Sequence, residues 1–262
     1  MKSSPCEKSP GLFLLSTRMI TSHFWSGDIL RSRSVSDFVL SAKVNIPAPT
    51  ARLTADWNNE ITLRLGLEPG DVEPLPLARA RMKWPDYNSC VQAVLDWTRT
   101  LNLDDVLAAS DIALMACVGA KYHHDGQHYG GKAFCNLFLS EDKGLDLHFP
   151  HAGYRIPLSR GTIVIFDTGQ PHAVIQRNGS SFDASDFPSD QDWTQVFLSW
   201  ELPIEHPHVA KALGISFDTD PLSSALLTEE QVWRNGAHVH VCPNSGAWCH
   251  TGKSTMPTSS IA

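Results

Sequence analysis

Gly161-Thr162-Ile163-Val164-Ile165-Phe166-Asp167-Thr168-Gly169-Gln170-Pro171-His172 is the stretch on which the fold turns. The run 162–166 is too short for a helix and rich in the β-branched side chains that suit a pleated, buried strand. Gly161 opens it and Gly-Gln-Pro closes it, so a turn stands at either end. His172 then begins a second short apolar run, 172–176. Two strands joined by a tight polar turn predict a β-rich core.

The same signal spreads outward from there. At 111–118, Ile112, Leu114, Ala116 and Val118 alternate with Ala113, Met115 and Cys117, which is period two. Further strands are expected at 133–140, 145–149, 154–158 and 193–202. Their connections are short and hold Gly, Pro, Asp or Asn, as hairpins and meanders do. Strands this short and this closely spaced predict a barrel or jelly roll. Segment 177–191 is polar and acidic, and reads as a mobile loop able to cover a site.

The flanks differ. Upstream, 88–102 reads as a helix: Asn88 or Ser89 can cap it, and Val91, Val94, Leu95, Thr98 and Leu101 share one side. A second short helix is expected at 104–109. Segment 11–50 fits strands or a helix equally, until Pro47 and Pro49 break the pattern, and proline-rich 51–86 reads as loop. Downstream, 208–213 and 223–234 read as helices ending near Gly214 and Gly236. Residues 1–10 and the tail from 245 are expected to be poorly ordered. The expected class is α+β in one domain, 1–262. Within it, 11–110 is a mixed region with supporting helices, 111–203 the core, and 204–262 a helical extension and tail.

Composition narrows the function classes. With 42% hydrophobic and 19% charged residues, the chain has material for a real core. A net charge of −7 argues against a nucleic-acid or membrane-surface binder, which needs a basic face. The apolar run 11–15 is too short for a secretory segment or a bilayer span. Six scattered cysteines, two of them (Cys117 and Cys135) inside strand-like runs, suit reduced thiols. The expected location is cytoplasmic. Cys242, Cys249 and His250 lack the spacing of a zinc knuckle.

Chemistry concentrates at His123, Asp125 and His172. Two residues apart on extended chain, His123 and Asp125 point to one face, while His124 points away. His172 comes from a distant strand, which a barrel brings opposite. Two imidazoles and one carboxylate form the facial set that holds Fe(II) and leaves positions open for substrate and O2.

With the Gly161–His172 segment, this pattern resembles the Fe(II)- and 2-oxoglutarate-dependent dioxygenases, over roughly 111–203. The resemblance implies a double-stranded β-helix (jelly-roll or cupin-like barrel) with flanking N-terminal and C-terminal helices. It also implies oxidative decarboxylation of 2-oxoglutarate coupled to hydroxylation or desaturation of a C–H bond, with His123, Asp125 and His172 on the iron. Relatives usually grip the distal carboxylate of 2-oxoglutarate with a cation near the start of the last core strand. Here 193–202 has none. Arg177 and Lys132 are the candidate anchors, and Asn136, sharing parity with Lys132, is expected to point inward. Strict alternation would turn Arg177 away unless a bulge re-aims it. The expected substrate is a small molecule, such as an amino acid or secondary metabolite, ahead of a nucleobase. A cupin-type protein that does not use 2-oxoglutarate is the alternative, and a non-enzymatic jelly roll the third.

Overall fold

The computed structural model describes residues 20–251. The expectations for 1–10 and for the run 11–15 lie outside the described residues. Strands dominate, with a few helices. Strands β1 (Ile20–Ser26) and β2 (Ile29–Ser34) form a hairpin, followed by β3 (Val39–Lys43). Helix α1 (Ala51–Glu60) is capped by Thr50, whose hydroxyl accepts from the Leu53 amide. It buries Leu53 and Trp57 at i, i+4 and runs into a π-helical turn, Ile61–Leu65, that ends at left-handed Gly66. Strand β4 (Val72–Leu75) and helices α2 (Leu77–Arg81), α3 (Tyr87–Arg99) and α4 (Asp104–Ala108) follow. The loop-rich expectation for 51–86 therefore missed β4, α2 and, above all, helix α1. Its apolar face is only a few residues wide among polar ones, and prolines dominate the local signal.

The central strands are β5 (Ile112–Cys117), β6 (Ala120–His123), β7 (Lys132–Phe138), β8 (Leu145–Phe149), β9 (Tyr154–Pro157), β10 (Thr162–Asp167), β11 (His172–Gln176) and β12 (Gln195–Pro203). They sort into two antiparallel sheets. One has the order β3-β10-β7-β12-β5-β4, the other β6-β11-β8-β9, and neither closes on itself. Alternation along the first sheet explains its all-apolar strands. Leu114, Leu137, Ile163, Leu198 and Trp200 pack outward with the helical residues Trp57, Val94 and Leu107. Phe138, Val164, Phe166 and Phe197 pack with Leu147, Phe149, Val174 and Ile175 of the second sheet. Both faces are buried, so period two in hydrophobicity disappears where period two in geometry remains.

After α5 (Pro207–Leu213) and α6 (Pro221–Ser224) come β13 (Gln231–Arg234), β14 (Ala237–Val241) and β15 (Trp248–His250). The helix expected at 223–234 is thus corrected to one short turn and a strand. The cause is tertiary: β13 pairs with β1, Ile20 opposite Arg234, so both ends of the described chain build one sheet, β15-β14-β13-β1-β2. The tail from 245 likewise contains β15, paired to β14. No helix among the described residues is long and apolar enough to cross a membrane.

Candidate metal centre

Strand β6 ends at His123, and β11 begins at His172 directly opposite it, the two being cross-strand partners. Asp125 follows β6 at the start of a turn, where its amide donates to the Thr168 carbonyl at 2.7 Å. The structure thereby brings together three side chains from two strands and one turn. Among the described residues they are the one His/Cys/Asp/Glu group close enough to share an ion. His123 Nε2 lies 3.7 Å from Asp125 Oδ1, and His172 Nε2 lies 3.5 Å from Asp125 Oδ2. The two contacts use different oxygens of the carboxylate, and one ligand atom from each of the three residues lies within 4.8 Å of the others.

Tautomers are fixed from behind. His123 Nδ1 sits 2.7 Å from the Lys121 carbonyl, and His172 Nδ1 sits 2.9 Å from that of Gln170. A carbonyl only accepts, so each Nδ1 carries the proton and each Nε2 offers its lone pair toward Asp125. Burial, then the neighbouring His123 imidazole, pushes His172 down to about 4, against the pull of Asp125. A neutral imidazole is the form that ligates. His124 turns away, as its parity requires. It packs 5.3 Å from the Trp248 ring, and burial pushes it down to about 4.

The two loops that carry the ligands are tied to a buried ion pair. Arg33 and Asp167 are both fully buried, with Nη1–Oδ2 at 2.6 Å and Nη2–Oδ1 at 2.8 Å. The Asp167 carboxylate also accepts from the Ser36 and Gly169 amides, both at 2.8 Å. Arg33 Nε donates to the Gly130 carbonyl at 2.8 Å. One guanidinium therefore holds the turn after Asp125 and, through Asp167, the turn before His172. Thr168 Oγ1 lies within 2.8 Å of the Tyr129 and Lys132 carbonyls, adding a second stitch. Sequence reading missed this support. Asp167, a carboxylate ending an apolar strand, was its one local sign, and nothing local points to a partner 134 residues away.

On its inner side the triad borders a cavity of about 240 Å³ between the two sheets. Met115, Phe134, Phe138, Leu147, Phe166 and Phe197 give it an apolar wall, and Tyr129, Asn136 and Ser199 add polar atoms. Asn136 faces inward, as parity predicts. Arg177 and Lys132 do not line this cavity. Arg177 Nε donates to Asp146 at 2.9 Å, and its Nη1 and Nη2 donate to Asp142 at 3.0 and 2.8 Å. The bonds to Asp142, then Asp146, raise its pKa. Alternation along β11 sends Arg177 away from His172, and the irregular step in its pairing with β6 puts the extra residue on β6, leaving the alternation of β11 intact. Lys132 sits at the very start of β7, opposite Pro203, and lines a surface groove with Asp105, Asp111 and Glu201. Nor does segment 177–191 cover the cavity. It is held by Phe182 and Phe187, whose rings stack on each other at 5.4 Å and both lie against Gly119.

No protein-family model matches the sequence, and no curated protein matches it either. Structural similarity, distant in each case, extends to a prolyl hydroxylase, an α-ketoglutarate-dependent epimerase and a vicilin. The viral collagen prolyl hydroxylase of Paramecium bursaria Chlorella virus-1, solved as its 2OG complex, is 12% identical with a TM-score of 0.36, over 63% of this chain and 95% of that one. The non-heme α-ketoglutarate-dependent epimerase SnoN of nogalamycin biosynthesis is 13% identical with a TM-score of 0.32, over 63% and 78%. Hazelnut (Corylus avellana) vicilin is 16% identical with a TM-score of 0.23, over 44% and 27%. Likenesses this distant assign neither family nor reaction.

Proposed function

We propose that the chain is a mononuclear Fe(II)-dependent oxygenase that consumes O2 and a 2-oxo acid to oxidise a C–H bond of a small molecule. The fold that accompanies this function is a jelly roll, with the two facing sheets as its walls. The observation that carries the proposal is the convergence of two Nε2 lone pairs and one carboxylate beside an apolar cavity. That donor set suits Fe(II), with one face left for exogenous ligands.

His123 and His172 would each contribute Nε2, and Asp125 one oxygen and the charge that offsets part of the cation's. When bound, the iron supplies the activation of O2. The protein's own part is to hold the ligands and exclude water. Lys121 and Gln170 carbonyls lock the imidazoles. Phe166, with its ring centroid 4.8 Å from that of His172, and Phe149, at 6.0 Å, shield the inner side. The resemblance in sequence makes 2-oxoglutarate the expected oxo acid. Its chelating oxo-carboxylate end suits the open side of the triad. Its distal carboxylate does not suit the cavity, because no Lys or Arg is among the described lining residues. The same observation favours a second reading, a cupin-type metal enzyme without an oxo-acid co-substrate.

Anaerobic Fe(II) titration of the metal-free protein tests the proposal. One equivalent should bind, His123→Ala, Asp125→Ala and His172→Ala should each abolish it, and a 2-oxo acid should then raise a visible charge-transfer band. Iron binding without such a band for any oxo acid supports the cupin-type reading. Absence of iron binding refutes both.

A further inference from the structure

We infer that the oxo acid this site accepts has an uncharged, apolar tail, alkyl or aryl, in place of the second carboxylate of 2-oxoglutarate. The inference rests on the Fe(II) oxo-acid reading and deepens it.

Three observations converge. First, the wall opposite the triad is built from alternate residues of β7 and β12, and these are Phe134, Asn136 and Phe138 against Phe197 and Ser199. A guanidinium or ammonium placed on any of them would face a bound ligand, yet each is aromatic or neutral. Second, Arg177 and Arg33 are paired with carboxylates, and neither candidate anchor lines the cavity. Arg177 is held by Asp142 and Asp146, Arg33 by Asp167, and Lys132 stands in another groove. Recruiting Arg177 would strip it from two carboxylates, one of them buried. Third, the cavity is small and greasy. At about 240 Å³ it lies just below the range of about 300–1,000 Å³ that holds drug-sized ligands. A carboxylate pushed into such a place loses its hydration and gains no cationic partner. A phenyl or branched alkyl group loses nothing and covers the aromatic wall.

Among the polar groups of the wall, Asn136 has an unpaired atom. It is 7% exposed, and its side-chain oxygen has no hydrogen-bond partner. A buried amide left unpaired is costly, so a ligand that brings one donor near the tail would be favoured over a purely hydrocarbon one. The reaction balances with any 2-oxo acid. The C1–C2 bond breaks, C1 leaves as CO2, and one atom of O2 enters the new carboxylate at C2. The other oxygen atom enters the C–H bond of the second substrate. Two electrons from the oxo acid and two from the C–H bond complete the four-electron reduction of O2.

The test is anaerobic titration of the Fe(II)-loaded full chain with phenylpyruvate, 4-methyl-2-oxopentanoate and 2-oxoglutarate. The readout is half-saturation of the charge-transfer band, which needs no turnover. At least one apolar acid should half-saturate tenfold or more below 2-oxoglutarate. Ser199→Arg should then narrow or invert that preference, and Phe197→Arg offers a second placement of the same charge. Tighter binding of 2-oxoglutarate to the unaltered protein overturns the inference alone. Iron binding with no band for any of the three overturns it together with the oxo-acid half of the function. Failure to bind iron removes the functional reading itself.

Discussion

Replacing Arg33 by Met should both destabilise the protein and loosen the metal site. The guanidinium makes two bonds to Asp167, one to the Gly130 carbonyl at 2.8 Å and one to the Ser34 carbonyl at 3.1 Å. Methionine fills much of the same space and makes none of them. Asp167 is then a buried carboxylate left with the Ser36 and Gly169 amides alone. Removing one partner of a buried pair costs about 3–5 kcal/mol, against a typical total of about 5–15 kcal/mol, so the variant should survive only marginally. Urea unfolding of the metal-free protein measures this without the mass action of bound ion. The double variant Arg33→Met/Asp167→Leu should recover part of the loss, because no orphaned charge remains while the Ser36 and Gly169 amides lose their acceptor. Support one step removed from the ligands typically changes metal affinity about 10–100-fold. Even the stabilised double variant should therefore bind Fe(II) more weakly, since the tie between the Gly130 and Gly169 turns is gone. A loss below about 1 kcal/mol in Arg33→Met, or undiminished iron affinity in the double variant, would refute the assignment of this pair as the clamp on the two ligand loops.

Other outcomes follow from the same geometry. Gly161→Ala should cost at least the ~1–3 kcal/mol of a strained backbone, because φ is +83° and an added Cβ would meet the Val44 carbonyl; an unchanged urea midpoint would contradict this. Stability of the metal-free protein should fall as pH drops. His124 and His172 are held near 4 in the fold, below their value of 6.5 in an unfolded chain. Their neutral form is favoured in the fold, so stability is complete above about pH 6.5 and declines toward pH 4, by up to about 1.4 kcal/mol per pH unit per group; midpoints equal at pH 7.5 and 5 would exclude it. Gly119→Val places side-chain atoms where Phe187 now packs, 2.5 Å from the Cβ position. It should release segment 177–191, read as faster proteolytic nicking there while Fe(II) affinity stays within twofold.

By itself the sequence determined the strand-rich centre, helix α3, and the three side chains that meet at the candidate metal centre. These are local matters. Alternation, capping and turn residues are written within a few positions of each other, and His123 and Asp125 share a face because they are two apart on extended chain. Strand parity also determined that Asn136 faces inward. Only the tertiary structure decided the rest. The pairing of β13 with β1 overrode a helical pattern, since an open strand edge two hundred residues away is invisible to local reading. The Arg33–Asp167 clamp joins residues 134 apart for the same reason. Arg177 had the right chemistry for an anion anchor, but acidic neighbours on β8 and in the turn before it captured its guanidinium, leaving the cavity an aromatic wall. Which charges face one another depends on how the sheets stack, and it is this that moves the expectation from a dianionic co-substrate to a monoanionic one with an apolar tail.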